Sequence, residues 1–484
     1  MTVSAAIPTA PPEAWSRRSG WPLMVIASAH LMAVLDTTVM FVALPSIQRG
    51  LHMTVSSRAW VVTAYTLSLA GLLLLGGRLA DRLGARRTLI VGVVGFAVAS
   101  AVGGAAVDGA MLIAARAVQG AFGAVLVSST KALLVTVYDE EHERAKVLGV
   151  FTATLTAGLA VGLVLGGVIT SCLGWRWCLY LNVIISVFAV IGASRVLPQL
   201  PRRPEVHIDL WSVLFASVGM IGLVYGLGEA ASAGWSSARV VGSLVAAVVL
   251  LGGFIARQFG HVDRLLPLRV VAERNRGMGM LALVVNSLST FGMMLILTYQ
   301  LQSIMDYSPL RTGLALVPFG LGAVAGSVFL GPRLMRRIPP RILITAAVIV
   351  EAAGLVPLIW LTPHSGYLPL ILLATVVEGI GTGLAGPTTL NTALRGVLPD
   401  DAGAAGSATS AVGQLGSSVG AALFNTIAAT VTASYLTAHP TVSMVTATVH
   451  GFNVAMLWGV IVLVVGAIAI AVRVNAPIPA PKRR

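Results

Sequence analysis

Long apolar runs alternate with short polar interruptions along the whole chain. A helix crossing a bilayer takes about 20 mostly apolar residues. Fourteen such runs can be drawn, at roughly 22–44, 59–78, 88–107, 111–135, 147–170, 177–197, 210–229, 239–257, 277–304, 313–332, 342–361, 368–392, 404–432 and 451–472. An even number places both termini on one side. Two echoes mark an internal repeat. Arg333-Leu-Met-Arg-Arg-Ile-Pro-Pro-Arg341 lines up with Arg78-Leu-Ala-Asp-Arg-Leu-Gly-Ala-Arg86 at an offset of 255 residues, and Gly416 and Gly420 repeat the four-residue spacing of Gly158, Gly162 and Gly166. Two parallel six-helix units separated by the spans at 210–229 and 239–257 account for both. The expected organisation is a tail at 1–21, a first bundle at 22–198, two extra spans with a linker at 199–276, a second bundle at 277–472 and a tail at 473–484.

Composition fixes the class. The 484 residues are 56% hydrophobic and 10% charged, where a soluble chain carries about a quarter charged residues. Assigning loops alternately to the two sides puts 25 of the 32 Lys and Arg residues on the side of Gly76–Arg87 and both termini. Arg49, Arg58, Arg176, Arg239 and Arg311 fall on the other side, with Arg116 and Lys131 inside spans. That asymmetry makes the Gly76–Arg87 side cytoplasmic. The net charge of +14 is therefore loop charge and indicates no nucleic-acid partner. The run from Trp21 to Leu44 carries Asp36 and is too long for a signal core, so it reads as a retained first helix. The longest loop, Arg257 to Arg276, is basic with interleaved Leu and Val and is expected to lie along the membrane surface. Cys172 and Cys178 sit at the outer end of one hairpin and read as two free thiols, with a disulfide between them as the alternative. No phosphate-binding G-x-x-x-x-G-K-[ST] stretch occurs, so ATP is not hydrolysed by that route. No metal or nucleophile–base cluster appears either, so no enzyme and no cofactor is expected.

The densest polar stretch is Gly76–Arg87, GGRLADRLGARR, with five charges in twelve residues between the second and third spans. Its G-x-L-A-D-R-x-G-x-R-R pattern, set by Gly77, Asp81, Arg82, Gly84, Arg86 and Arg87, closely resembles the cytoplasmic loop signature of the major facilitator superfamily. Leu35-Asp-Thr-Thr-Val-Met-Phe-Val-Ala-Leu-Pro45 in the first span resembles the L-D-x-T-I-V-N-V-A-L-P signature of that superfamily's fourteen-helix drug–proton antiporters, with Phe41 in place of Asn. Arg116 opens an R-x-x-Q-G-x-x-G stretch similar to the family's fourth-helix pattern. Gly158, Gly162, Gly166 and Gly167 in the fifth span resemble its exporter signature, but Leu163 replaces a proline. Gly174-Trp-Arg-Trp177 and Asn182 match a hairpin pattern whose proline is here Ile184, and the aromatics are expected at the outer interface.

These residues carry the candidate chemistry. An ionised Asp36 in hydrocarbon costs several kcal/mol, so it must face a cavity or a partner or be protonated. It is read as a proton-coupling group, with a packing clamp as the alternative. Arg116 either drives a proton off such a carboxyl as geometry changes or forms a fixed ion pair with it. Glu351 and Glu378, near the middle of their spans, can accept a proton, bind a cationic solute or serve as structural hydrogen-bonders. Glu229 reads as a rim residue. His30, about 240° around the helix from Asp36, is off its face. The resemblance implies that Asp81 is a conformational latch, with Arg144 its partner. Gly416-Ser-Ser-Val-Gly420 and the glycines at 381, 383 and 386 fit enzyme and nucleotide patterns but lie in spans, where helix packing explains them.

Together these features imply an all-α plasma-membrane protein of two six-helix bundles plus two extra spans. It is read as a monomer that exports amphipathic or cationic small molecules such as drugs, antibiotics and dyes in exchange for entering protons by alternating access. A dedicated exporter of one host-made metabolite, peptide or lipid is the alternative. An uptake symporter and a non-transporting receptor rank below it.

Overall fold

The computed structural model describes residues 20–137, 158, 161–199, 209–260, 273–335, 337–395 and 402–474. Those residues form α1 (Gly20–Gly50), α2 (Val55–Leu83), α3 (Ala85–Gly104), α4 (Gly109–Val137), α5 (Val161–Cys172), α6 (Arg176–Val196) and α7 (Leu210–Ala233). They continue with α8 (Ala238–Gly260), α9 (Arg274–Tyr299), α10 (Pro309–Val324), α11 (Pro340–Leu355), α12 (Leu370–Leu394), α13 (Ala402–Ala438) and α14 (Met444–Arg473). Each predicted span other than the fifth coincides with a helix, and Val161–Cys172 covers the described end of the fifth. Among the described residues, twelve helices are long and apolar enough to cross a membrane, and Trp60–Leu73 of α2 and Val161–Cys172 are shorter apolar stretches. The start of the fifth predicted span lies outside the described residues, as does most of the Arg257–Arg276 loop.

Local chemistry sets the helix ends. Thr54, Ser308 and Ser443 each accept from the backbone N–H three residues on, capping α2, α10 and α14. The polar Gly76–Arg87 stretch is not an extended loop. α2 runs through Asp81 to Leu83 and α3 restarts at Ala85, leaving only Gly84, at φ 90°, to reverse the chain. A side chain at that φ would be strained.

α1 to α4 and α6 pack on one another, and α9 to α14 form a second bundle of their own. The predicted repeat is visible as matched packing. Gly416 and Gly420 of α13 lie on the backbone of Val284 and Leu288 in α9, as Gly158, Gly162 and Gly166 lie on Leu31, Thr38 and Val39 of α1. The fifth helix of each bundle thus presses its glycine face onto the first. α7 and α8 pair with each other, and α7 docks on α2 and α13, one helix from each bundle. Ser217 Oγ donates to Gly71 O (2.9 Å), and Thr426 Oγ1 donates to Leu227 O (2.8 Å). Asp209, which caps α7, also pairs with Arg257 at 3.1 Å near the end of α8.

At the end opposite Gly84 the two bundles touch closely. Gln302 Nε2 donates to Val42 O (2.8 Å), and the Arg58 guanidinium lies 3.4 Å from the Tyr299 ring centroid. Leu310 N donates to Ser171 Oγ (3.1 Å), and Gly167 lies against Pro309 and Leu310. Trp177 is exposed as an interfacial aromatic should be. Trp175 departs from that expectation: it is buried, its indole seated against Gly50 and its face covered by Arg176. Both cysteines are free, with Cys172 exposed and Cys178 buried.

Candidate functional site

Asp36 and Arg116 meet inside the first bundle. Arg116 Nη1 lies 2.5 Å from Asp36 Oδ2, and neither side chain is exposed. Asp36 Oδ1 accepts from Gln119 Nε2 (2.8 Å) and Asn182 Nδ2 (2.6 Å). Arg116 Nε donates to Val61 O (3.0 Å), its Nη1 also reaches Gln119 Oε1 (2.7 Å), and its guanidinium lies 4.3 Å from the Tyr65 ring centroid. Gln119 Nε2 also donates to Ser100 Oγ at 2.8 Å. Residues from α1, α2, α3, α4 and α6 thus share one charge-neutral knot. Gly120 of the same R-x-x-Q-G stretch sits on Tyr65 O. This lets α4 approach α2 closely enough for Arg116 to reach the Val61 carbonyl.

The knot is closed on nearly every side. Asp36 is 1% exposed, so it faces partners rather than an open path. Arg116 Nη2 and the Tyr65 hydroxyl lack hydrogen-bond partners. Sequence reasoning named Arg116 but gave no role to Gln119, Ser100, Asn182 or Tyr65. Their signal was a polar residue inside an apolar span, as in Asn182 of α6. His30 is buried elsewhere, its Nδ1 2.9 Å from Thr130 Oγ1.

The second bundle carries Glu351 and Glu378, both fully buried. Asn286 Nδ2 donates to Glu351 Oε1 (2.6 Å), and Thr290 Oγ1, one turn along α9, reaches Glu378 Oε1 (3.2 Å). The Oε2 atom of each carboxyl has no hydrogen-bond partner. Gln300, at the start of a π turn (Gln300–Ile304) that continues α9, is likewise buried with both amide atoms unmet. Such turns and unmet groups are common where a ligand or water binds. Glu229 is half-buried near the end of α7.

The hinge residues lie where α2 meets α3. Gly77 is half-buried, Arg82 and Arg87 are exposed, and Arg86 Nη2 donates to Ser194 O of α6. Arg86 thereby ties the start of α3 to the end of α6. Asp81 is in α2, but its side chain and the whole of Arg144 lie outside the described residues. On α5, Gly162 and Gly166 face α1, as Gly158 does ahead of it, while Gly167 faces the start of α10, so one helix touches both bundles. Gly313 of α10 returns that contact at Leu163. Lys131 of α4 donates to Ser410 of α13, a cross-bundle contact that the sequence did not suggest. Among the described residues, no three His, Cys, Asp or Glu side chains gather as metal ligands.

Comparison with known proteins agrees with this geometry. The chain is 43% identical over 470 residues to a puromycin resistance protein of Streptomyces alboniger, covering 96% of this chain and 92% of that one. It is 37% identical over 408 residues to a cephamycin export protein of Amycolatopsis lactamdurans, covering 84% of each. A crystal structure of an auto-inhibited peptide transporter of the POT family superposes with a TM-score of 0.67 at 14% identity, over 93% of this chain and 96% of that one, a likeness of fold. The description Major Facilitator Superfamily matches residues 26–421. With two glycine-faced bundles and matches of this extent, the chain is a multi-pass transporter of the Major Facilitator Superfamily.

Proposed function

We propose that the protein is a proton-coupled secondary active exporter of amphipathic or cationic small molecules, antibiotics among them. It works as a monomer in the plasma membrane with both termini cytoplasmic. The observation that carries this reading is the buried Asp36–Arg116 knot in a chain so similar to a puromycin resistance protein. Ionised groups kept in a lipid-embedded bundle cost several kcal/mol and are retained where their charge serves a transport path.

In this reading the bundles at 22–198 and 277–472 rock about a site near the midplane. The Gln302–Val42, Arg58–Tyr299 and Ser171–Leu310 contacts close the outer end and have to break for release. Gly158, Gly162 and Gly166 on α1, and Gly416 and Gly420 on α9, give smooth surfaces for small shifts between helices. Asp81 and Arg144 act as the latch at the Gly77–Arg87 hinge. Opening there admits a solute from the cytoplasm or inner leaflet, and a proton entering from outside discharges it. The names of several relatives, among them the cephamycin export protein and a probable actinorhodin transporter of Streptomyces coelicolor, favour a second reading, a dedicated exporter of one host-made compound.

Both readings are tested with full-length protein in proteoliposomes under an imposed pH gradient, offered puromycin, a cephamycin and a cationic dye. Saturable, gradient-driven movement of two or more unrelated compounds is expected. Movement of one compound alone supports the dedicated exporter. No counterflow of any compound, with folded protein in the vesicles, sinks both.

A further inference from the structure

Lys131 is a cation placed where a span is otherwise apolar. It stands about 9 Å of helix rise before the described end of α4 at Val137. A lysine at that depth on a lipid-facing surface would extend toward the cytoplasmic headgroups. Lys131 instead reaches across the seam between the bundles, where its Nζ donates to Ser410 Oγ of α13. Ser410 Oγ donates onward to Gly406 O (3.0 Å). The ammonium thus meets a neutral acceptor and no counter-charge. None of the ion pairs among the described residues includes Lys131. Asp36 is taken by Arg116, and Glu351 and Glu378 are bonded to Asn286 and Thr290 within the second bundle. Thr130, beside Lys131, pairs with His30 of α1 at 2.9 Å and brings no acid either.

The face of α13 opposite Lys131 is polar. Ser410, Gln414 and Ser418 recur every four residues and so share one side of the helix. Ser418 Oγ donates to Thr66 Oγ1 of α2 (2.7 Å), which fixes that side against the first bundle. Gln414 is half-buried between the two serines, and its side-chain amide bonds no described residue. An ammonium carries three N–H donors, of which Ser410 takes one. Together with a primary amide one helical turn away, the remaining donors match the two oxygens of a carboxylate. The outer end of the seam has the same sign. Arg58 meets Gln48 Oε1 (3.0 Å) and the Tyr299 ring, and it too is in no ion pair among the described residues. A path with a bare cation at each end attracts anionic groups.

We propose that Lys131 and Gln414 bind the carboxylate of an amphipathic solute entering from the cytoplasm, and that this binding replaces the Lys131–Ser410 contact. The same ammonium is then either a tie between bundles or a ligand for the solute. A carboxylate that takes it favours the state in which α4 and α13 part, so loading and opening of the inner end become one event. The use of the site rests on the exporter reading, which it extends to carboxylate-bearing solutes, but its existence does not.

The test uses purified full-length protein in neutral detergent and two fluorescent probes of nearly equal shape. Dansylglycine carries a carboxylate and dansylglycinamide does not. Wild type should bind dansylglycine about tenfold more tightly, the equivalent of one charge-assisted contact. Lys131→Met should lose that preference, Lys131→Arg should keep it, and Gln414→Leu should reduce it. Ser410→Ala removes the competing acceptor and should tighten dansylglycine binding about threefold, which a purely structural tie would not do. Equal binding of the two probes by wild type, or an undiminished preference in Lys131→Met, overturns the site. An unaltered preference in Gln414→Leu overturns its share. If Lys131→Met does not fold, unchanged or weaker dansylglycine binding by Ser410→Ala overturns the site instead.

Phosphatidylglycerol added to the micelles distinguishes the other source of an anionic group. Because Lys131 points across the seam, the lipid should leave the probe in place. Displacement of dansylglycine would identify a lipid headgroup as the occupant and overturn the assignment to a solute. Charge-selective binding in detergent with no transport in proteoliposomes would keep the site and sink the exporter reading. Gradient-driven efflux with no preference between the probes would do the reverse.

Discussion

Arg116→Leu alone is expected to destabilise the protein by about 3–5 kcal/mol, the usual consequence of leaving one member of a buried ion pair uncompensated. Asp36 would lose its 2.5 Å partner while remaining in a cluster with no exposure to water. Asp36→Asn leaves Arg116 as the unbalanced charge and is expected to abolish gradient-driven efflux while the protein still reaches the membrane. The double variant Asp36→Leu/Arg116→Leu removes both charges and should recover most of the lost melting temperature, since apolar replacements of whole buried pairs are often neutral. A double-mutant cycle on thermal melting in detergent, with Asp36→Leu and Arg116→Leu as its single variants, measures the coupling. Simple additivity of the two single losses would show that the pair is not coupled, and wild-type efflux by Asp36→Asn would remove it from the transport cycle.

The second large effect is expected at the glycine faces. Gly420→Ala puts a Cβ 2.7 Å from Leu288 Cα, and Gly166→Ala puts one 2.9 Å from Val39 Cα, both against backbone. Neither neighbour can swing aside, so a helix must move, at about 1–3 kcal/mol for each substitution. Gly386→Ala and Gly406→Ala, whose Cβ atoms would meet nothing within 4 Å, are matched controls and should be neutral or slightly stabilising through helix propensity. Melting curves for the four variants settle it. Equal losses at all four positions would mean that close helix approach is not what these glycines provide.

The spans were legible because span length is a bilayer property, and an apolar run of that length has few other uses. The repeat was legible from two short echoes because glycine spacing reports directly on which face a neighbour covers. The hinge was placed correctly but read as a loop. Charge density marks the end of the hydrophobic run, whereas helical hydrogen bonding continues through Asp81 to Leu83 until Gly84 breaks it. Arg116 was legible as an ionisable residue in an apolar span, but the polar groups that complete the knot around it and Asp36 were not. Gln119, Ser100 and Asn182 come from three helices, and their convergence depends on crossing geometry that no linear pattern encodes. Glu351 and Glu378 were each found at mid-span. That Glu378 packs over Gly354 and Glu351 over Gly381 went unseen, because an E-x-x-G spacing means something only when two antiparallel helices meet in register. Trp175 was misplaced for a related reason: an aromatic near a span end reads as interfacial until the chain turns it onto Gly50.

The α7–α8 pair has a consequence for how an oily molecule meets this protein. By resting on α2 and α13 together, it roofs the groove where the bundles adjoin on one flank. On the opposite flank α5 and α10 leave a furrow of about 380 Å³ walled by Val161, Val164, Leu165, Val168 and Val317. Seen from the acyl chains, the two seams between the bundles are therefore unlike: one lies under a helix pair, and the other carries an apolar furrow.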